Sequence, residues 1–308
     1  MGVAVINHIS RRSLLRDTAV AVAGATLASN GLIHALAQPA NHPGGIQFGV
    51  QLNAFPIDPN RFDTFLDTLR QVKQIGYQGF ESSFRNVMGQ FASAEQARSS
   101  IEATGLTFFG VHIFLPDNRY DPATKIAPVS LYQSVARGGA ALGAKHMILS
   151  GLPVTNDEEL KRKVEALNAA GAFAKTVGIT AAYHNHWPEF QSNIGGRSEI
   201  EGLYAMTDPS TFSFVLDAGH AYRAGADVPA FIRAHSSRII AFHLRDYKNG
   251  RLVSLGQGTF PIQQVAKTIE QIRWKGWVEN EEEREDLSKT GAEVIQPAYT
   301  AMKEAFSK

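Results

Sequence analysis

The stretch Gly178-Ile179-Thr180-Ala181-Ala182-Tyr183-His184-Asn185-His186 holds one complete structural unit. Its glycine stands where a helix ends in a left-handed residue. A short run follows with no polar face, as in a strand covered on both sides. It closes on side chains that do chemistry. The same order recurs along the chain. Strands are predicted at 46–52, 79–81, 107–114, 146–149, 180–184, 212–217, 239–243 and 277–281.

Helical patterns fill the gaps. Phe62, Phe65, Leu66, Leu69, Val72 and Ile75 share one helix face, after an Asp58-Pro59 pair that reads as cap and first turn. Ser93 with Gln96, and Ser198 with Glu201, have capping-box spacing. Further helices are predicted near 131–142, 157–177, 227–235, 261–273 and 290–306. Gly76, Gly105, Gly143, Gly178 and Gly276 each follow a helix and precede a strand. Eight strand-then-helix units predict a (β/α)8 TIM barrel, with a doubly wound sheet as the alternative. The gap at 115–130, with Pro116, Asp117, Asn118 and Pro122, reads as a loop over the barrel mouth.

The 308 residues include 30 Lys+Arg, 29 Asp+Glu, 44% hydrophobic residues and no cysteine. This composition is globular, and the length suits one large barrel or two ordinary domains. Without cysteine there is no disulfide, thiolate metal site, iron–sulfur cluster or Cys nucleophile. A net charge of +1 lends no support to a nucleic-acid partner, which a basic surplus would mark.

At the N-terminus, Ser10-Arg11-Arg12-Ser13-Leu14-Leu15-Arg16 precedes a weakly apolar stretch from Thr18 to Leu36 and an Ala35-Leu36-Ala37 site. Basic, apolar and A-x-A segments in this order make an export signal. The adjacent arginines resemble the twin-arginine (Tat) type. Gly24, Ser29, Asn30, Gly31 and His34 make the stretch too polar for a stable membrane anchor. The expected organisation is a signal at 1–37, a flexible leader at 38–45 and a single catalytic barrel at 46–308. Cleavage after Ala37 leaves 271 residues, 27 basic and 28 acidic. The expected partners are the Tat export machinery and a small carbohydrate; a homo-oligomer is compatible. The expected location is the periplasm or the exterior.

Barrel active sites form at the C-terminal strand ends. There the chain places Glu81, His112, His184 and His186 with Glu189 nearby, Asp217 and His220, His243 and Arg245, and Glu279 and Glu281. Each has an ordinary alternative: a hydrogen-bonded structural histidine, a turn-capping Asp217, a solvated acidic run at 279–285. Together, nitrogen and oxygen donors without sulfur suit Mn²⁺, Zn²⁺, Co²⁺ or Fe²⁺.

Five motifs in order carry a resemblance: Tyr-His-Asn-His-x-x-Glu-Phe at 183–190, Leu-Asp-x-Gly-His at 216–220, His-x-Arg-Asp at 243–246, Gly-x-Gly at 256–258 and Gly-Trp-x-x-x-Glu at 276–281. The chain resembles the xylose isomerase-like superfamily of sugar phosphate isomerases and epimerases over about residues 46–305. The resemblance implies a Glu, Asp, His, Glu metal quartet from strands five to eight. Asp217 and His243 match its second and third members, and Glu281 fits the fourth, with Glu279 sharing its parity. His184 falls where the first glutamate would be. The ligand charge thereby drops from −3 to −2; alternatively, His184 binds substrate and three ligands remain. The implied chemistry is metal-assisted enediolate formation on a hydroxy-carbonyl sugar. Glu189, Glu281 and His112 are candidates to move the proton. Glu81, His186, His220 and Arg245 are candidates to bind substrate or orient ligands. An isomerase or epimerase is the first expectation. A lyase, dehydratase or keto-glycoside-cleaving enzyme is the second. A non-catalytic sugar-binding barrel and a metal nuclease stand behind them.

Overall fold

The computed structural model describes residues 45–307. The signal and nearly all of the leader expected at 1–45 lie outside them. Eight parallel strands close into a barrel: β1 (Ile46–Gln51), β2 (Gly79–Ser83), β3 (Thr107–Ile113), β4 (His146–Leu149), β5 (Thr180–His184), β6 (Phe212–Asp217), β7 (Ile239–Leu244) and β8 (Gly276–Glu281). Each pairs with its sequence neighbours, and β1 pairs with β8, so no edge is left open. The strands are almost wholly buried on both faces, as their apolar runs require.

The outer ring is α1 (Phe62–Ile75), α2 (Ala94–Glu102), α3 (Val129–Ala141), α4 (Asp157–Thr176), α5 (Glu199–Met206), α6 (Val228–His235), α7 (Ile262–Gln271) and α8 (Gly291–Ala305). The Ser198–Glu201 capping box forms at α5, and a second one, Thr290–Glu293, starts α8. Three local readings are corrected. Asp58 does not cap α1; Arg61 precedes it, and Asp58 accepts the Asn60 N–H at 2.9 Å within a turn. Ser93 makes no side-chain cap at α2, because a 3₁₀ turn leads straight into the helix and holds Ser93 at ψ 39°, away from the extended cap conformation. Gly276 begins β8 instead of ending α7; the left-handed residue there is Arg273 at φ 54°. Gly76, Gly105, Gly143 and Gly178 all have the expected positive φ.

Inside the barrel, side chains alternate by strand parity. Phe109, Ile148, Ala182, Val215, Ala241 and Trp277 form an apolar plug. One step toward the C-terminal ends, the inward positions turn polar: Glu81, His112, Ser150, His184, Asp217, His243, Glu279 and Glu281, none more than 4% exposed. Gly49 makes room for this layer, since a Cβ there would lie 2.8 Å from the Glu279 Cγ. The 115–130 segment follows β3 at this end and buries Leu115, Tyr120, Ile126 and Ala127. Among the described residues no helix is long and apolar enough to cross a membrane.

Candidate active site

Four consecutive strands deliver the centre of the site. His184 ends β5, Asp217 ends β6, His243 lies one residue before the end of β7, and Glu281 ends β8. His184 Nε2 is 3.1 Å from Glu281 Oε2 and 3.5 Å from Asp217 Oδ2; His243 Nδ1 is 2.8 Å from Glu281 Oε2. Asn185 fastens two of the strand ends together. Its amide donates to the Asp217 carbonyl at 3.1 Å and accepts the Asp217 N–H at 3.0 Å. Asp217 Oδ1 also accepts the His220 N–H at 2.7 Å, capping the short helix Ala218–Arg223. One oxygen of Asp217 thus holds the backbone while Oδ2 turns inward.

These residues fit a divalent ion. One donor atom from each lies within 4.8 Å of the others, a span close to what one ion with bonds near ~2.1 Å bridges. His184 Nδ1 is buried without a hydrogen-bond partner, and Asp217 Oδ2 is held by charge contacts alone. Arg245 stands beside the group, Nε 2.8 Å from Asp217 Oδ2 and Nη2 2.6 Å from Glu281 Oε2. The electrostatics favour a cation. Burial pulls the His184 and His243 imidazoliums down, yet the surrounding carboxylates outweigh it and raise both, His243 strongly. Burial lifts the Asp217 and Glu281 carboxyls, but Arg245 and the histidines hold both well down.

A second polar layer backs this one. Glu81 Oε1 bonds His112 Nδ1 at 2.7 Å, and His112 Nε2 bonds Ser150 Oγ at 2.8 Å. Glu81 Oε2 lies 3.2 Å from His243 Nε2. Glu279 lies on this level, its Oε2 3.8 Å from His243 Nε2, and both its oxygens are unpartnered. Burial and the neighbouring Glu81 push the Glu279 carboxyl well above its ordinary value. Of the two inward glutamates of β8, it is Glu281 that touches His184, His243 and Arg245. Burial lowers the His112 pKa despite Glu81.

The remaining candidates surround the centre. The His186 ring is 5.2 Å from that of His184 and 5.1 Å from that of His220. The Tyr247 hydroxyl lies 3.1 Å from His220 Nδ1, and burial drives His220 down to about 3. Glu189 lies behind His186, its Oε1 3.8 Å from His186 Nδ1. It accepts the Tyr183 hydroxyl at 2.9 Å and the His186 N–H at 3.2 Å. Behind Tyr183, the buried Lys163 of α4 bonds its hydroxyl at 2.7 Å and Glu199 at 2.6 Å. This chain braces the turn that carries His184 and His186. Sequence reasoning missed Ser150, Tyr247, Lys163 and Glu199. Ser150 was accessible from parity, since Ile148 points inward two residues earlier. The Gly256-Gln257-Gly258 loop has a structural duty: its Gly256 and Gly258 N–H groups donate to Asp246 Oδ2 at 3.0 and 2.8 Å.

Known proteins share this framework. The inosose dehydratase of Lactiplantibacillus plantarum is 25% identical over 176 residues, 51% of this chain and 58% of its own. The chain thus spans little more than half of that curated relative. A sugar phosphate isomerase/epimerase from Parabacteroides distasonis superposes with a TM-score of 0.69 at 19% identity, over 87% of this chain and 96% of its own. The 3-keto-D-glucoside 4-epimerase of E. coli gives 0.65 at 14%, over 84% and 99%. The sequence description of the xylose isomerase-like TIM barrel matches residues 69–299. The chain belongs to the xylose isomerase-like TIM barrel family.

Proposed function

We propose that the protein is a divalent-metal-dependent sugar isomerase or epimerase that moves a proton beside the carbonyl of a keto-sugar, through the sugar's enediolate. The supporting observation is the convergence of His184, Asp217, His243 and Glu281, one donor atom from each within 4.8 Å of the others and all four buried. These four would hold Mn²⁺, Zn²⁺, Co²⁺ or Fe²⁺, which supplies Lewis acidity to carbonyl and hydroxyl oxygens. His112 is the base favoured by geometry. With Glu81 ionised, its Nδ1 carries the proton, so Nε2 is the accepting nitrogen beside the Ser150 hydroxyl. Glu281 is committed to Arg245 and the histidines, and Glu189 to Tyr183 and the His186 backbone. Arg245, His186 and His220 bind substrate oxygens, with Glu81 orienting His112. The basic, apolar and A-x-A order of residues 10–37 supports a location in the periplasm or outside the cell.

A lyase that expels a β-substituent from the same enediolate is the second reading, favoured by the similarity to inosose dehydratase. Product mass separates them: no change means isomerisation, loss of water or an aglycone means elimination. The shared premise is tested by elemental analysis. Asp217→Ala and His243→Ala are expected to lose the metal that the wild type retains while keeping a folded barrel by circular dichroism. Stoichiometric metal and full turnover in both variants overturn the reading.

A further inference from the structure

Beneath the quartet a second group of donors meets, and the reading above uses only part of it. Glu81 on β2, His243 on β7 and Glu279 on β8 are wholly buried, and one donor atom from each lies within 4.8 Å of the others. Sheet register gathers them. His243 pairs with Glu279 across β7 and β8, and Glu279 pairs with Gly49 across β8 and β1. β1 lies between β8 and β2, and Gly49 puts no side chain into that gap. A Cβ there would stand 2.8 Å from Glu279 Cγ and 3.2 Å from its Oε1. The Glu279 carboxyl therefore rests over bare backbone, within reach of Glu81 on the strand beyond.

An ordinary hydrogen-bond network accounts for two of these three residues. Glu81 Oε1 bonds His112, and its Oε2 lies 3.2 Å from His243 Nε2. It does not account for Glu279. Neither Glu279 oxygen has a hydrogen bond, and its approach to His243 Nε2 is 3.8 Å. A buried carboxyl needs donors when ionised and an acceptor for its O–H when neutral. Among the described residues no protein group supplies either to Glu279. A cation meets the need, since carboxylate oxygens and an imidazole nitrogen suit a divalent ion of the kind the quartet would hold. The two groups meet at His243: its Nδ1 is 2.8 Å from Glu281 Oε2, and its Nε2 faces Glu81 and Glu279. We infer that Glu81, Glu279 and His243 Nε2 form a second divalent-cation site, with the His243 ring bridging the inner ion and the ion of the quartet. This goes beyond the quartet and requires it. Each ring nitrogen coordinates only after its proton has passed to solvent. The quartet's ion takes one nitrogen of a ring that keeps its other proton. The inner ion must displace that last proton, so it is the weaker of the two. It enters at excess metal and leaves on dialysis, and the ion retained is the quartet's.

The probe is Mn²⁺. Protein stripped by a chelator is equilibrated with rising MnCl₂, bound metal is counted by equilibrium dialysis, and the bound ions are followed by electron paramagnetic resonance. The wild type is expected to take up about two ions per chain in two separate steps. The second is expected to broaden the signal of the first, because a shared imidazole holds the two ions close. Glu279→Gln keeps the size of the side chain and removes its charge. It is expected to bind the first ion as the wild type does and to weaken the second step by at least about tenfold. Saturation of the wild type at about one ion overturns the inner site and leaves the quartet standing, whether or not the variant folds. So does a second ion that leaves the first signal unbroadened, or that Glu279→Gln binds as tightly. A wild type that binds no ion overturns both sites.

Discussion

At the scale of the residue, His112 shows how placement fixes a proton. Glu81 and Ser150 grip its two nitrogens, and burial keeps its pKa below the ordinary histidine value. A histidine depressed in the folded state costs stability as the pH falls below its unfolded value of about 6.5, because the unfolded chain then binds a proton that the folded one refuses. The stability advantage of wild type over His112→Gln is therefore expected to shrink between pH 7 and 5 in urea unfolding; an advantage that grows there refutes the assignment. Glu279 gives a second case. A methyl at Gly49 would press on its Cγ. Gly49→Ala is expected to cost about 1–3 kcal/mol in wild type and much less in a Glu279→Ala background. Equal penalties in both backgrounds would show that this contact does not set the cost. Such pairings were hidden from the sequence. The quartet was visible because each strand ended in a ligand type at inward parity. The layer beneath depends on a register shift at Phe80/Glu81 that sets Glu81 beside Gly110. No spacing pattern encodes that shift.

At the scale of the element, the eight strands were legible because a parallel barrel demands short apolar runs between longer amphipathic ones. Helix ends were less so. Ser93 and Ser198 have the same spacing to a box partner, but only Ser198 is extended, at ψ 157°, and able to turn its hydroxyl back. The path of the preceding chain decides this, and propensity does not contain it. The end of α7 is the clearest departure: the exposed Arg273 takes the left-handed conformation that glycine usually supplies. Arg273→Gly is expected to raise stability by about 0.5–1 kcal/mol, net of the glycine's greater unfolded freedom. Thermal or urea denaturation reads this directly, and a loss of stability would mean that the arginine side chain contributes more than its backbone costs.

At the scale of the whole molecule, the N-terminal signal and the barrel are separate proposals with separate tests. Replacing Arg11 and Arg12 together by lysine is expected to leave the protein in the cytoplasm with its catalytic properties intact; continued appearance in the periplasm would refute the twin-arginine reading. The barrel's behaviour toward its ion follows from Arg245, whose guanidinium touches both Asp217 and Glu281. When no ion is bound, the two acids still face a permanent positive charge instead of each other. Arg245 thus serves as a resident counter-charge, and assembly of the cup need not wait for its contents. Chelation should strip the ion reversibly with only a small fall in Tm. Arg245→Met should be tolerated while the ion stays, then lose about 3–5 kcal/mol once it is withdrawn, since two buried acids are then left unbalanced. A barrel built this way can be emptied and refilled many times without unfolding.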